Sequence, residues 1–166
     1  MKPADEPAGQ SPQPSALRIA LETPDQPEVI ALIDELDAYQ KPLYPPESHH
    51  GIDLAALLRP GVLFAVARDG QGCAVGCGAL VLQGDGSGEL KRMMLQPRWR
   101  GGGRAQALLA LLEDAGRARG CRIFRLETGI HQPAALAFYE RAGYVRRGPF
   151  GDYQPDPLSV FMEKTE

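Results

Sequence analysis

Apolar positions recur along the chain with two different periods. Leu17-Arg18-Ile19-Ala20-Leu21 alternates with the two-residue repeat of a strand. Val29, Ile30, Ile33 and Leu36 then follow helical spacing, which predicts a helix over about 26–38 with Asp25 as its cap and Pro27 in its first turn. Pro42, Pro45 and Pro46 exclude regular pairing, so residues 40–51 read as an irregular loop, followed by a short helix over 53–58. Residues 62–68 and 74–82 are apolar and partly β-branched, with Asp69-Gly70-Gln71-Gly72 as turn chemistry between them. Gly84-Asp85-Gly86-Ser87-Gly88 leads into a third strand over 89–95, which Pro97 stops. The pattern then alternates: helix 103–119 closed by Gly120, strand 122–127, helix 133–142 closed by Gly143, strand 144–147 and a last strand over 158–163. Antiparallel hairpins followed by a β-α-β-α-β run predict the α/β class, with a mixed sheet and helices on both faces.

Composition narrows what such a chain does. Residues 1–15 hold prolines 3, 7, 12 and 14 and no large apolar residue after Met1, and read as a flexible tail before a single domain over 16–166. The 18 basic and 21 acidic residues give a net charge of −3, which argues against a protein built to hold a phosphate backbone. Cys73, Cys77 and Cys121 are an odd number in a chain long enough to fold without bridges, as expected of a reducing cytoplasm. The N-terminus lacks an apolar signal core, and the longest apolar run, 73–82, is about half a membrane span. The expected protein is cytoplasmic, with neither nucleic acid nor membrane as partner.

The most informative stretch is Arg100-Gly101-Gly102-Gly103-Arg104-Ala105, between the strand ending at Leu95 and a long helix. Backbone without Cβ atoms can close on an anion at a helix N-terminus, and the two arginines add positive charge; a bare glycine triplet equally serves a tight turn. A dinucleotide fingerprint counted from Gly101 would need glycine where Gln106 stands, and Gly-Lys-Ser/Thr occurs nowhere. What remains is Arg-x-x-Gly-x-Ala, with Arg100, Gly103 and Ala105. Here the sequence resembles the GNAT superfamily of acyl-CoA N-acyltransferases, whose pyrophosphate loop is Gln/Arg-x-x-Gly-x-Gly/Ala between a strand and a long helix.

The resemblance extends over Ala135-Leu136-Ala137-Phe138-Tyr139-Glu140-Arg141-Ala142-Gly143-Tyr144, similar to the helix-turn signature of that superfamily. Pro45 to His49, Leu126-Glu127-Thr128-Gly129 and the block from Pro149 to Met162 are similar to a small bacterial branch, the YsnE-like acetyltransferases. The match implies a GNAT-like fold, a mostly antiparallel sheet of six or seven strands with a splayed central pair. It implies acetyl-CoA as co-substrate, held by backbone near Met93, Met94 and Leu95, by the loop Arg100, Gly101, Gly102, Gly103, Arg104 and Ala105, and by Ala135 and Phe138. Gln132 stands where the family often has Asn, and its amide reaches one methylene further.

Direct attack of an amine on a thioester needs the neutral amine, so a base helps. Glu89 matches by position the general base of some family members, and is also readable as a solvated carboxylate near a strand start. Tyr139 matches the family's acid for the leaving thiolate, and is also readable as a packed core tyrosine. The loops 45–50 and 150–156 are polar, aromatic and proline-stiffened, as specificity loops are. Glu47, Asp152 and Asp156 there suit an ammonium, Arg92, His49 or Arg146 a carboxylate, and Tyr153 the acceptor site generally. His49 and His50 are adjacent and His131 isolated, so no metal is expected. Cys73 and Cys77 fall four apart on a strand and read as small core hydrophobes on one face. The expected activity is transfer of acetyl from acetyl-CoA to a primary amine of a small, amino-acid-like molecule, with a non-catalytic acyl-CoA sensor or a protein-lysine acetyltransferase as the rival readings. A monomer or homodimer is expected, the dimer pairing through a sheet edge or the C-terminal strand.

Overall fold

The computed structural model describes residues 16–49 and 51–166; the tail expected over 1–15 lies outside the described residues, as does His50. Seven strands form one sheet in the order β1-β2-β3-β4-β5-β7-β6. They are β1 (Arg18–Leu21), β2 (Val62–Arg68), β3 (Ala74–Leu82), β4 (Ser87–Leu95), β5 (Ile123–Gly129), β6 (Val145–Arg147) and β7 (Ser159–Thr165). The helices are α1 (Pro27–Gln40), α2 (Leu54–Leu57), α3 (Arg104–Ala118) and α4 (Pro133–Arg141). The mixed α/β class and the antiparallel run β2-β3-β4 follow the sequence pattern; β4 and β5 are the one parallel pair among the described strands.

Local rules explain most of the elements. Pro27 sits in the first turn of α1, but the cap is Gln26 rather than Asp25, and no side chain caps that end. Asp53 caps α2 as an Asx residue should, accepting from the Ala56 N–H at 2.8 Å. The proline-rich loop contains short 3-10 turns over Lys41–Leu43 and Pro46–Ser48, which need fewer backbone donors than a helix. Only Cys77 and Cys121 are buried: Cys73 is exposed and precedes β3, so the expected shared face for Cys73 and Cys77 does not form. The C-terminal strand β7 lies between β5 and β6, which leaves β1 and β6 as the sheet edges and removes β7 as a pairing surface.

Each face of the sheet carries a core. On one, Leu108, Leu109 and Leu112 of α3 and Tyr139 of α4 pack on Leu80, Leu90, Phe124, Leu126 and Met162. On the other, Val29 and Ile33 of α1 and Leu57 of α2 pack on Phe64, Val66, Cys77 and Ala79. The second face is only partly covered by helices. Over β5 and β7 its cover is the loop 148–158, which lays Phe150 and Tyr153 edge-on against Phe161.

The edge strand β1 and the start of α1 are tied to the sheet by one guanidinium. Arg68 donates to Glu22 from Nε and Nη2, to Gln26 Oε1 at 2.8 Å and to the Gly72 carbonyl at 2.8 Å. This hydrogen-bonded Arg68 holds the Glu22 carboxyl below the usual range, against the opposing effect of its burial. A carboxyl lowered on folding stabilises above its unfolded pKa of about 4.3, and that contribution is lost as pH falls through the folded value. Arg68→Met is expected to cost about 2 kcal/mol at pH 7, and the gap to wild type should shrink below about pH 4. Urea unfolding at both pH values checks this; a gap independent of pH would remove Glu22 from the account.

Candidate active site

The site is built where two neighbouring strands part. β4 and β5 pair from Ser87↔Ile123 to Leu90↔Leu126 and then stop, although β4 runs on to Leu95 and β5 to Gly129. Lys91 and Glu127 are thus the first positions beyond the ladder. At the same point β4 is bent by a bulge: Cys77 faces Met94 and Ala79 faces Lys91, so Gly78 opposes both Arg92 and Met93. Arg92 has φ +55°, unusual for any residue but glycine. A Cβ on Gly78 would sit 2.3 Å from Met93 Sδ and 3.0 Å from Leu112 Cδ1, so glycine here leaves the space that those two side chains fill.

A cleft of about 910 Å³ and a smaller one of about 290 Å³ meet at this fork, with Glu89, Lys91 and Tyr153 lining both. Alternation along β4 and β5 puts Glu89, Lys91, Arg125 and Glu127 on the face under the loop 148–158. Tyr153 Oη donates to Glu89 Oε2 at 2.5 Å, and Lys91 Nζ donates to Tyr153 Oη at 2.8 Å. Burial first, and then the hydrogen bond to Glu89, push the Tyr153 phenol well above its ordinary value. Beside them Arg125 donates to Glu163 at 2.7 Å, and Arg147 reaches the same carboxylate. Those two guanidiniums, Arg125 foremost, hold Glu163 below the usual carboxylate range.

Tyr139 lines the smaller cleft from the opposite side of the sheet, projecting from α4. It is 8% exposed, its ring stacks edge-on with Phe138 and Tyr144, and burial raises its phenol well above the ordinary value. Among the described residues its hydroxyl meets no hydrogen-bond partner. Ala135, one turn earlier, lines the same cleft, whereas Phe138 packs into the core. Tyr139 and Glu89, 50 residues apart in sequence, therefore reach one cavity from its two sides.

The glycine triplet lies at the far end of β4. Gly101, Gly102 and Gly103 have φ of +86°, +64° and +78°, three successive left-handed residues before α3. No side chain caps this helix, and a Cβ on Gly101 would meet nothing within 4 Å. Backbone N–H groups at such an uncapped helix N-terminus are the chemistry that suits an anion. The arginines flank it with their own bonds: Arg100 Nε donates to the Leu95 carbonyl at 3.2 Å, and Arg104 lies over the Trp99 ring at 5.7 Å. The Leu95 and Ala105 side chains pack with Trp99, and Met94 packs with the core on the α1 face.

Several expected acceptor residues have structural partners. Arg92 pairs with Asp37 at the end of α1 and donates to the Ile52 carbonyl from Nε at 3.1 Å and Nη2 at 2.8 Å. Its charge is met, and it pins the bulge. His49 Nε2 lies 2.8 Å from the Tyr44 carbonyl, and the Gln132 amide oxygen accepts from the Gly129 N–H at 3.3 Å, turned toward the β5–α4 corner. Glu47 and Asp152 are exposed and line the larger cleft with Tyr153. Three residues absent from the expected set, Lys91, Glu127 and Tyr44, line the smaller cleft. Lys91 and Glu127 carry a strand-alternation signal that places them on the face of Glu89; Tyr44 carries none, since it arrives from a loop 88 residues before its partner Gln132. Among the described residues no group of three or more His, Cys, Asp or Glu stands close enough to hold a metal ion.

Comparison with known proteins gives a consistent answer. The profile of the Acetyltransferase (GNAT) family matches residues 29–144. An IAA acetyltransferase of Azospirillum brasilense is 50% identical over 147 residues, covering 88% of this chain and 95% of that protein. The uncharacterized N-acetyltransferase YsnE of Bacillus subtilis is 37% identical over 141 residues, covering 82% and 91%. Among solved structures, a Klebsiella pneumoniae chain assigned as an acyl-CoA N-acyltransferase is 46% identical, with a TM-score of 0.77 over 90% of this chain and 97% of that one.

Tyr44 closes the wide end of the fork. Its hydroxyl accepts from the His131 N–H at 3.1 Å, its ring stacks against His131 at 5.4 Å, and a Cβ on Gly129 would lie 1.6 Å from its oxygen. Gly129→Ala is expected to unseat the ring and cost about 1–3 kcal/mol. Because Tyr44→Ala vacates the same space, the double variant should recover about 1 kcal/mol relative to the sum of the singles. Additive losses in urea unfolding would show that Tyr44 and Gly129 do not share the contact.

Proposed function

Since the chain belongs to the GNAT acetyltransferase family, we propose that it moves acetyl from acetyl-CoA to a primary amine of a small molecule, by direct attack in a ternary complex at the β4–β5 fork. The observation that carries this reading is that Glu89 and Tyr139, a carboxylate and a protonated phenol, enter one cleft from opposite sides of the sheet. The cleft on the Glu89 side is open, roofed by the loop 148–158 and the turn at Pro46–Ser48, and is of small-molecule size at about 910 Å³. The relative that is half identical is named for a small molecule, which agrees with that size.

The residues present fit the co-substrate. The backbone of Gly101 to Gly103 and the first turn of α3 suit a diphosphate, with Arg100 and Arg104 adding charge. β4 beyond Leu90 has no sheet partner on the β5 side, so its backbone near Met93 to Leu95 can accept or donate there, with Ala135 and Gln132 across the gap. When bound, acetyl-CoA supplies the activated acyl carbon and the sulfur leaving group. Glu89 takes the proton that an acceptor ammonium, of pKa about 10, must lose before it becomes nucleophilic. Tyr139 keeps its proton on Oη throughout the working pH range, because burial disfavours the phenolate. It is therefore a standing donor toward the leaving group. Glu47, Asp152 and Glu127 add acidic lining suited to an ammonium. Arg92 serves the site as the pin of the bulge. A reducing cytoplasm is the fitting compartment for its three unbridged cysteines.

Turnover is tested by following thiol release from acetyl-CoA with a panel of amino acids, diamines and amino sugars. Tyr139→Phe is expected to lower kcat by about 10²-fold with acetyl-CoA affinity kept; equal loss of both would make it a structural tyrosine. Gly103→Glu should abolish acetyl-CoA binding measured by calorimetry, through bulk and negative charge at the glycine triplet. Unchanged affinity would remove the glycine loop from the co-substrate site.

A further inference from the structure

Glu89, Tyr153 and Lys91 form a chain of hydrogen bonds whose direction is fixed by chemistry. An ammonium only donates and an ionised carboxylate only accepts. Lys91 Nζ therefore donates to Tyr153 Oη, and the phenol turns its own proton forward to Glu89 Oε2 at 2.5 Å. Lys91 Nζ also lies 3.3 Å from that same Oε2. One oxygen of the carboxylate is thus held by a hydrogen bond and an ion pair, while Glu89 Oε1 accepts nothing from the described residues.

We propose that Tyr153 is a positioning residue for Glu89: by holding Oε2 it leaves Oε1 as the atom that takes up the acceptor's proton. The inference rests on the reading of Glu89 as the base. It gives Tyr153, expected generally at the acceptor site, a different task, since its hydroxyl is engaged by both Lys91 and Glu89. The ring is equally fixed, edge-on to Phe150 at 5.1 Å and to Phe161 at 5.3 Å, with Lys91 Nζ 5.4 Å from its centre. Two anchors set the loop that carries it. Asp156 accepts from Ser48 Oγ at 2.7 Å, tying the loop to the turn on the far side of the cleft, and Phe150 lies under Arg125 and Arg147. The loop that roofs the acceptor cleft therefore also orients the base.

The titratable groups that line the two clefts with Glu89 are Asp85, Lys91 and Arg92 on or just before its own strand, Arg125 and Glu127 on β5, Tyr139 on α4, Asp152, Tyr153 and Asp156 on the loop, and Asp37, Lys41, Tyr44, Glu47 and His49 on α1 and the segment that follows it. Arg125 is paired with Glu163, so the Tyr153 phenol is the hydrogen-bond donor on Glu89 and the Lys91 ammonium its ion-pair partner. Removing a donor from a carboxylate favours its protonated form.

The test follows the side-chain carboxyl carbon of residue 89 by ¹³C NMR in the full chain without ligand, over about pH 3 to 8, with Glu89→Gln identifying the signal. Tyr153→Phe keeps the ring and removes the donor, and is expected to raise the titration midpoint by about one pH unit. Tyr153 replaced by 3-fluorotyrosine, a stronger donor of the same shape, is expected to lower it, and this second arm decides if the phenylalanine variant does not fold. A midpoint that moves in neither variant overturns the positioning role. Failure of the underlying reading looks different: Glu89→Gln with wild-type turnover in the amine panel would remove Glu89 as the base whatever the titration shows. Loss of turnover in Glu89→Gln with an unmoved midpoint in the Tyr153 variants removes only Tyr153.

Discussion

The bulge in β4 is the constraint on which the site depends. A parallel pair that could run to Met93 and Gly129 is abandoned after Leu90↔Leu126, where Arg92 takes a left-handed backbone conformation and the strand changes direction. Such a conformation costs about 1–3 kcal/mol for a non-glycine residue. Here the same residue's side chain offsets it, since the guanidinium binds Asp37 and the Ile52 carbonyl and so ties α1 and the approach to α2 to the distorted strand. Gly78 on the partner strand leaves room for the Met93 and Leu112 side chains. Without this bend β4 and β5 would close their ladder, and the two faces of the sheet would not communicate.

That opening divides the chemistry between the faces. On the α3–α4 face the surroundings are apolar, so Tyr139 is a buried phenol that retains its proton. On the other face alternate positions of β4, β5 and β7 carry Glu89, Lys91, Arg125, Glu127 and Glu163, and the cover is a loop with aromatic rings rather than a helix. A charged layer of this kind is tolerated because its members are mutually hydrogen-bonded, as Arg125 and Arg147 are with Glu163. Tyr144 shows the same logic on the buried side: its hydroxyl donates to Glu113, 5% exposed, which Lys164 also meets at 3.1 Å.

Much of this was legible in the sequence. Element order, the antiparallel hairpins and the helices after the two glycine-marked turns follow from period and from Gly and Pro positions, because these act within a few residues. The glycine triplet 101 to 103 stood out for the same reason, and its three successive left-handed residues, a finding of the structure, are a conformation that glycine populates without strain. Tyr139 was singled out by the motif around it, and the fold sets it in the wall of the smaller cleft. Less legible were the ends of elements and caps, as with Gln26 in place of Asp25, where several neighbouring residues are near equal.

What the sequence by itself determined is therefore local: strands and helices, the glycine-rich approach to α3, and which side-chain chemistries were present. Tertiary structure alone decided the partners. Arg92 looked like a free cation for a carboxylate substrate until Asp37 and Ile52, 55 and 40 residues away, were brought against it. Tyr153 looked like a substrate contact until the C-terminal loop set its hydroxyl on Glu89, 64 residues earlier. Tyr44 gave no signal at all before it met Gly129 and Gln132 across the fork. A charged or phenolic side chain states its chemistry in one letter, but whether it binds a ligand, orients a base or pins a strand depends on which distant group neutralises it, and that is set by sheet order and loop path.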